Sequence, residues 1–86
     1  MREIRKELKT ALEKGKVIMG EKESVRAAGA GKVKTLVYAA NCPVTTREKL
    51  KLIATAHKIV IEQFDGNSVE LGTMCGKPFA VSVLAF

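Results

Sequence analysis

Ile4, Leu8 and Leu12 recur every four positions while Arg2, Arg5, Lys6, Lys9 and Lys14 stand between them, which predicts an amphipathic helix over residues 2–14 stopped by Gly15. "KVIM" (16–19) then reads as a short buried strand, Gly20 as a turn, and "EKESVRAAG" (21–29) as a short helix turning Val25 and Ala28 toward a sheet. "VKTLVYAA" (33–40) carries the strongest strand signal in the chain. Thr45 and Glu48 have the spacing of a capping box, and Leu50, Ile53, Ala54 and His57 follow the i, i+3, i+4, i+7 pattern of a buried helical face, with His57 partly buried on it. "IVIEQF" (59–64) predicts another strand. Asn67 and Glu70 repeat the capping arrangement before a short helix ending near Gly76, and "FAVSVLAF" (79–86) closes as a strand. Helices alternating with strands must each hide an apolar side against a neighbouring layer. The pattern therefore predicts an α/β fold, a three-layer α/β/α sandwich around a single four-stranded mixed sheet, with all 86 residues in one domain.

Charge adds a hint about partners. Fifteen Lys and Arg against nine Asp and Glu leave +6, and a positive field around so small a body favours phosphate-bearing partners or anionic membrane. No apolar run approaches the roughly 18 residues of a membrane-spanning helix, and "MREIRKELK" lacks the apolar centre of a signal peptide. Cys42 and Cys75 are too few for a disulfide framework or a zinc cluster. These features predict a soluble, cytoplasmic protein with reduced thiols, no membrane contact, no metal and no cofactor, a monomer when free.

Catalytic motifs fail on inspection. "GKVIMGEKES" has two glycines at phosphate-loop spacing, but Glu21 stands where the lysine must reach the phosphates. In "GAGKVKT" (29–35), Val33 replaces the required hydroxyl and Arg26 the first glycine. Cys42 is the one thiol in a candidate loop, which leaves a small enzyme or ligand-binding domain with Cys42 as reactive group as the alternative function. Glu48 and Glu70 are accounted for as helix caps, so no carboxylate pair remains for acid–base work.

A binding surface built from three loops remains. The segment from Gly20 to Ser24 opens a helix whose free N–H groups, with Lys22 and Arg26, suit phosphate oxygens. Asn41 carries a donor and an acceptor in one plane, the equipment for reading a base edge, and Pro43 stiffens its loop; an Asn in a turn also often serves its own backbone. Lys77 beside Phe79 sets a cation and an aromatic ring at a loop tip, suited to stacking on an unpaired base. One Tyr and three Phe make no broad aromatic platform, so a structured RNA with a few extruded bases fits better than a single strand.

The stretches "GKVIMG", "AANCPV" and "GNSVELGTMCGKPFAVSV" together resemble the family of kink-turn RNA binders that includes the large-subunit ribosomal proteins thirty-e and seven-Ae. The resemblance runs from about Gly15 to the end of the chain. It implies a non-enzymatic, structural RNA-binding protein of the large ribosomal subunit, gripping a kinked, purine-rich internal loop of rRNA alongside neighbouring ribosomal components. Carried over by position, Gly20 and Lys22 meet the backbone and a base near the kink, Asn41 meets a guanine edge, and Phe79 with Val81 packs on an extruded base. Glu21, Ser24, Arg26, Pro43, Arg47 and Lys77 complete the expected surface. One departure matters. Lys22 stands where the wider family has an Asn, while Glu23 and Arg26 match the following acid and base; Lys22 cannot accept a hydrogen bond, so guanine reading shifts to Asn41. On this view Asn41 leaves its hydrogen bonds to the RNA, and replacing it alters binding with little effect on unfolding.

Overall fold

A computed structural model describes residues 4–86 in the order α1 (Ile4–Glu13), β1 (Ile18–Met19), α2 (Glu21–Gly29), β2 (Thr35–Tyr38), α3 (Val44–His57), β3 (Val60–Gln63), α4 (Ser68–Met74) and β4 (Val83–Ala85). The expected start of the first helix, with Arg2, lies outside the described residues.

The sheet has the order β1-β4-β2-β3. β2 and β3 run parallel, with Thr35 opposite Val60, while β4 lies antiparallel to both β1 and β2. It is mixed and four-stranded, as the sequence predicts. Successive side chains of a strand point to opposite faces, and β2 uses both. Leu36 and Tyr38 enter one core with Ala27 and Ala28 of α2 and Leu50 and Ala54 of α3. Val37 and Ala39 enter a second core with Leu8 of α1, Leu71 of α4 and Phe64. All four residues of β2 are buried, which is why its sequence is a nearly continuous apolar run. The three layers are thus α2 and α3, the sheet, then α1 and α4.

Several local expectations change. Thr45 does not cap α3: the helix begins two residues earlier than that cap implies, with Pro43 in the N-cap position at φ −56°, ψ 144° and no side-chain cap bond. Pro43 has a helical φ but an extended ψ, and its ring disfavours helical backbone at Cys42 before it, so the helix starts at Val44 and leaves Thr45 inside it. Asn67 does cap α4, its Oδ1 accepting from the Glu70 N–H at 2.9 Å. His57 is exposed, because α3 ends on it and the chain turns left-handed at Lys58. Strand pairing also covers less than the apolar runs suggest, since β1 is only Ile18–Met19 and β4 only Val83–Ala85. Phe79 and Ala80 therefore sit in an exposed loop rather than a strand.

The helices end alike. In α1, α2 and α4 a left-handed glycine (Gly15, Gly31, Gly76) follows the last turn, and its N–H and that of the next residue return to helix carbonyls, as in Gly76→Thr73 and Lys77→Gly72, both 2.9 Å. α3 closes the same way with Lys58 at φ 56°.

Candidate nucleic-acid interface

Strand direction decides which loops share an end of the sheet. β1 and β2 run toward Gly20 and Asn41, β3 toward Asp65 and Gly66, and β4 starts after Phe79 and Val81. α2 and α3 begin at this same rim, and Asn41 ties the start of α4 to it. α2 and α3 start without a side-chain cap, so their first-turn N–H groups give the rim a positive backbone field, whereas at α4 Asn67 and Asn41 take up the Glu70 and Ser68 N–H groups.

Gly20 holds φ 104°, ψ 147°, a region that side-chain-bearing residues rarely enter, and it lets the chain leave β1 directly into α2. Lys22 and Glu21 follow in the exposed first turn, and Glu21 lies 3.8 Å from Lys49 of α3, joining the two helices across the rim. Two expected residues do not face it. Ser24 is 0% exposed and its hydroxyl donates to the Ile18 carbonyl, because its position on α2 turns it inward between helix and strand. Arg26 lies on the last turn of α2 and lines a hollow with Ile18, Glu23 and Lys32, further down the helix from the rim.

Asn41 is exposed but not unpartnered. Its Oδ1 accepts the backbone N–H of Ser68 at 2.9 Å, and its Nδ2 donates to the Ser68 hydroxyl at 3.2 Å. The backbone N–H can only donate, so the orientation of the carboxamide is fixed. One lone pair and one N–H stay open to a ligand. The expectation that Asn41 leaves its hydrogen bonds to RNA is corrected: Ser68 takes half of them, one through its backbone N–H and one through its hydroxyl, and the side chain braces the β2–α3 turn against α4.

Pro43 is exposed beside Asn41, and Arg47 is half-buried one turn into α3, with its Nε–H buried and without a hydrogen-bond partner. Such an unmet donor calls for an acceptor, and an anionic oxygen is the strongest available. Cys42 lies beneath them with 4% exposure; burial pushes its thiol up, only partly opposed by the nearby Arg47 charge. A buried thiol of raised pKa is the opposite of a reactive one, and this counts against the Cys42 alternative.

Phe79 is 58% exposed, with Lys77 two residues before it, also exposed. The backbone beneath the ring is tightly seated: a Cβ on Gly72 would run into the Phe79 carbonyl. Val81, expected to share the extruded base with Phe79, is instead buried at 4% exposure in the second core, its N–H donating to Ser68 at 3.0 Å. Ser68 thus joins Asn41 and Val81 at a single residue. Sequence reasoning missed it, and missed the exposed Val44 and Val69, which adjoin Pro43 and Ser68. No group of His, Cys, Asp and Glu among the described residues is arranged to hold a metal.

The sequence model of the "Ribosomal protein L7Ae/L30e/S12e/Gadd45 family" matches residues 2–86. The chain belongs to this family. Within it, the chain is 33% identical over 85 residues to the large ribosomal subunit protein eL30 of Methanopyrus kandleri, covering 99% of this chain and 78% of that protein. The eL30 of Sulfurisphaera tokodaii is 37% identical over 78 residues, covering 91% of this chain and 74% of the relative. The eL30 of Methanosarcina mazei is 38% identical over 82 residues, covering 95% and 76%. Among solved structures, the 15.5kD RNA binding protein of Giardia lamblia superposes with a TM-score of 0.85 at 18% identity, covering 96% of this chain and 69% of that one. A Bacillus halodurans protein described as of unknown function also gives 0.85, at 22% identity, covering 99% and 84%. The two structures support the family's fold.

Proposed function

We propose that this member of the family is a structural, non-enzymatic RNA-binding protein of the large ribosomal subunit, holding a kink-turn or similar purine-rich internal loop of rRNA at the rim described above, within the cytoplasmic ribosome. The observation that carries the proposal is Phe79: a large aromatic ring, mostly exposed, on a backbone that Gly72 allows no room to shift. Such a ring suits an extruded base.

Around it, the N-termini of α2 and α3, Lys22, Lys77 and Arg47, whose buried Nε–H has no partner, offer donors to phosphate. Asn41 contributes one lone pair and one N–H beyond those that Ser68 uses, enough for single contacts to a base edge. Rigid support of this kind holds affinity in a few groups.

The test is Phe79→Ala against a kink-turn RNA. Loss of base stacking should weaken binding by about 1–3 kcal/mol, while thermal unfolding stays near wild type because the ring leaves no core cavity. Unchanged affinity would remove the ring from the interface.

A further inference from the structure

The positive charge of this protein is not concentrated at the rim. Where β1 and β2 begin and β4 ends, at the opposite end of the sheet, two adjoining hollows of about 400 and 770 Å³ share Lys16, Glu7 and Phe86 in their walls. A third, of about 380 Å³, shares Lys34 with the second. Six lysines line the three, and Glu7 is the one acid among the described residues that do. Lys14, Lys16, Lys32 and Lys34 have no carboxylate partner within the described residues. At the rim, by contrast, Glu21 is set against Lys49 and Asp65 against Arg5, and much of the positive field comes from helix N-termini.

We propose that this lysine-lined end is a second binding site, for the phosphate backbone of an A-form RNA duplex, so that one copy of the protein ties two RNA segments together. Lysine is a compact charge on a flexible stem, suited to following phosphates without reading bases. Duplex RNA is taken mostly by shape and backbone. With extents of 30 × 27 × 27 Å, the molecule puts its two ends far enough apart for separate strands to occupy both. The three shallow hollows leave space between the lysine stems for phosphates.

The lysines also lie where α1, α2 and α3 end, so they could serve only the negative ends of those helices. The experiment separates the two roles. The full chain is titrated with a perfectly paired RNA duplex and, separately, with a kink-turn RNA, alongside Phe79→Ala and a fourfold Lys→Gln variant at 14, 16, 32 and 34. A twofold variant, Lys32→Gln with Lys34→Gln, is carried in parallel in case the fourfold one is poorly folded, and circular dichroism follows unfolding of each.

Expected for the fourfold variant is at least a tenfold loss of duplex binding, with the salt slope reduced by about 0.9 for each phosphate contact removed. Kink-turn binding should stay within twofold of wild type, Phe79→Ala should leave duplex binding intact, and wild-type protein on an immobilised kink-turn RNA should capture the duplex. Duplex binding unaltered in both lysine variants, or earlier unfolding with duplex binding retained, overturns the proposal. So does competition between the two RNAs for one site, or capture of anionic vesicles in place of duplex. Absence of kink-turn binding together with lysine-dependent duplex binding would refute the rim assignment and leave the second site standing.

Discussion

Replacing Asn41 with Ala tests the brace between the β2–α3 turn and α4. The substitution removes the acceptor of the Ser68 N–H (2.9 Å) and the donor to its hydroxyl (3.2 Å). Ser68 is buried, 8% exposed, so its N–H is poorly placed to find water at once. A buried donor left unmet costs about 1–3 kcal/mol, but Asn41 is itself exposed and the space it vacates admits solvent, which holds the expected cost to about 1–2 kcal/mol. In a domain of this size each kcal/mol lowers Tm by roughly 4–8 °C, so a fall of about 5–15 °C is expected by circular dichroism. Asn41→Asp keeps an acceptor for Ser68 and sets a negative charge at the start of α4, where the helix field favours it. It should unfold near wild type and yet bind RNA poorly, since the carboxylate donates nothing and repels phosphate. Wild-type Tm in Asn41→Ala, or equal destabilisation by Ala and Asp, would refute the brace.

Three further outcomes follow from the geometry. Gly72→Ala, a change that ordinarily favours a helix, should destabilise by about 1–3 kcal/mol because the new methyl meets the Phe79 carbonyl; chemical denaturation reads the sign. Lys58→Gly should raise stability by about 0.5–1 kcal/mol, seen as a higher denaturant midpoint, since Lys58 alone among the helix stops holds a left-handed conformation with a side chain. Arg5 grips Asp65 at 2.9 and 3.1 Å, and this hydrogen bonding holds the Asp65 carboxyl below its usual pKa. A lowered folded-state pKa contributes stability above the ordinary carboxylate value and loses it as pH falls through the lowered one, so Asp65→Asn should flatten the acid limb of unfolding below about pH 4.

What the sequence disclosed was local or periodic. The apolar run of β2, the Asn67 cap and the glycine stops at Gly15 and Gly76 depend on a few adjacent residues, and all appear in the structure. Misleading signals arose where one neighbour changed the outcome. Pro43 ahead of Thr45 moved the start of α3, and Lys58 ended that helix without a glycine, leaving His57 exposed. The partner of Asn41 lies 27 residues away, a separation no spacing rule covers. Ser24 and Arg26 differ in which side of α2 they occupy, and the packing of α2 on β1 sorted them. Net charge could be counted from the sequence, but its placement at the end away from the loops depends on where three helices and four strands begin and finish.

The strand order leaves β1 and β3 flanking the sheet, and the two flanks differ in what they offer a second copy of the chain. β1 is two residues long and presents too few free backbone groups to template another strand, whereas β3 is four residues long and begins with the exposed Val60. Any edge-to-edge association between copies of the chain, strand added to strand, therefore has to start along β3.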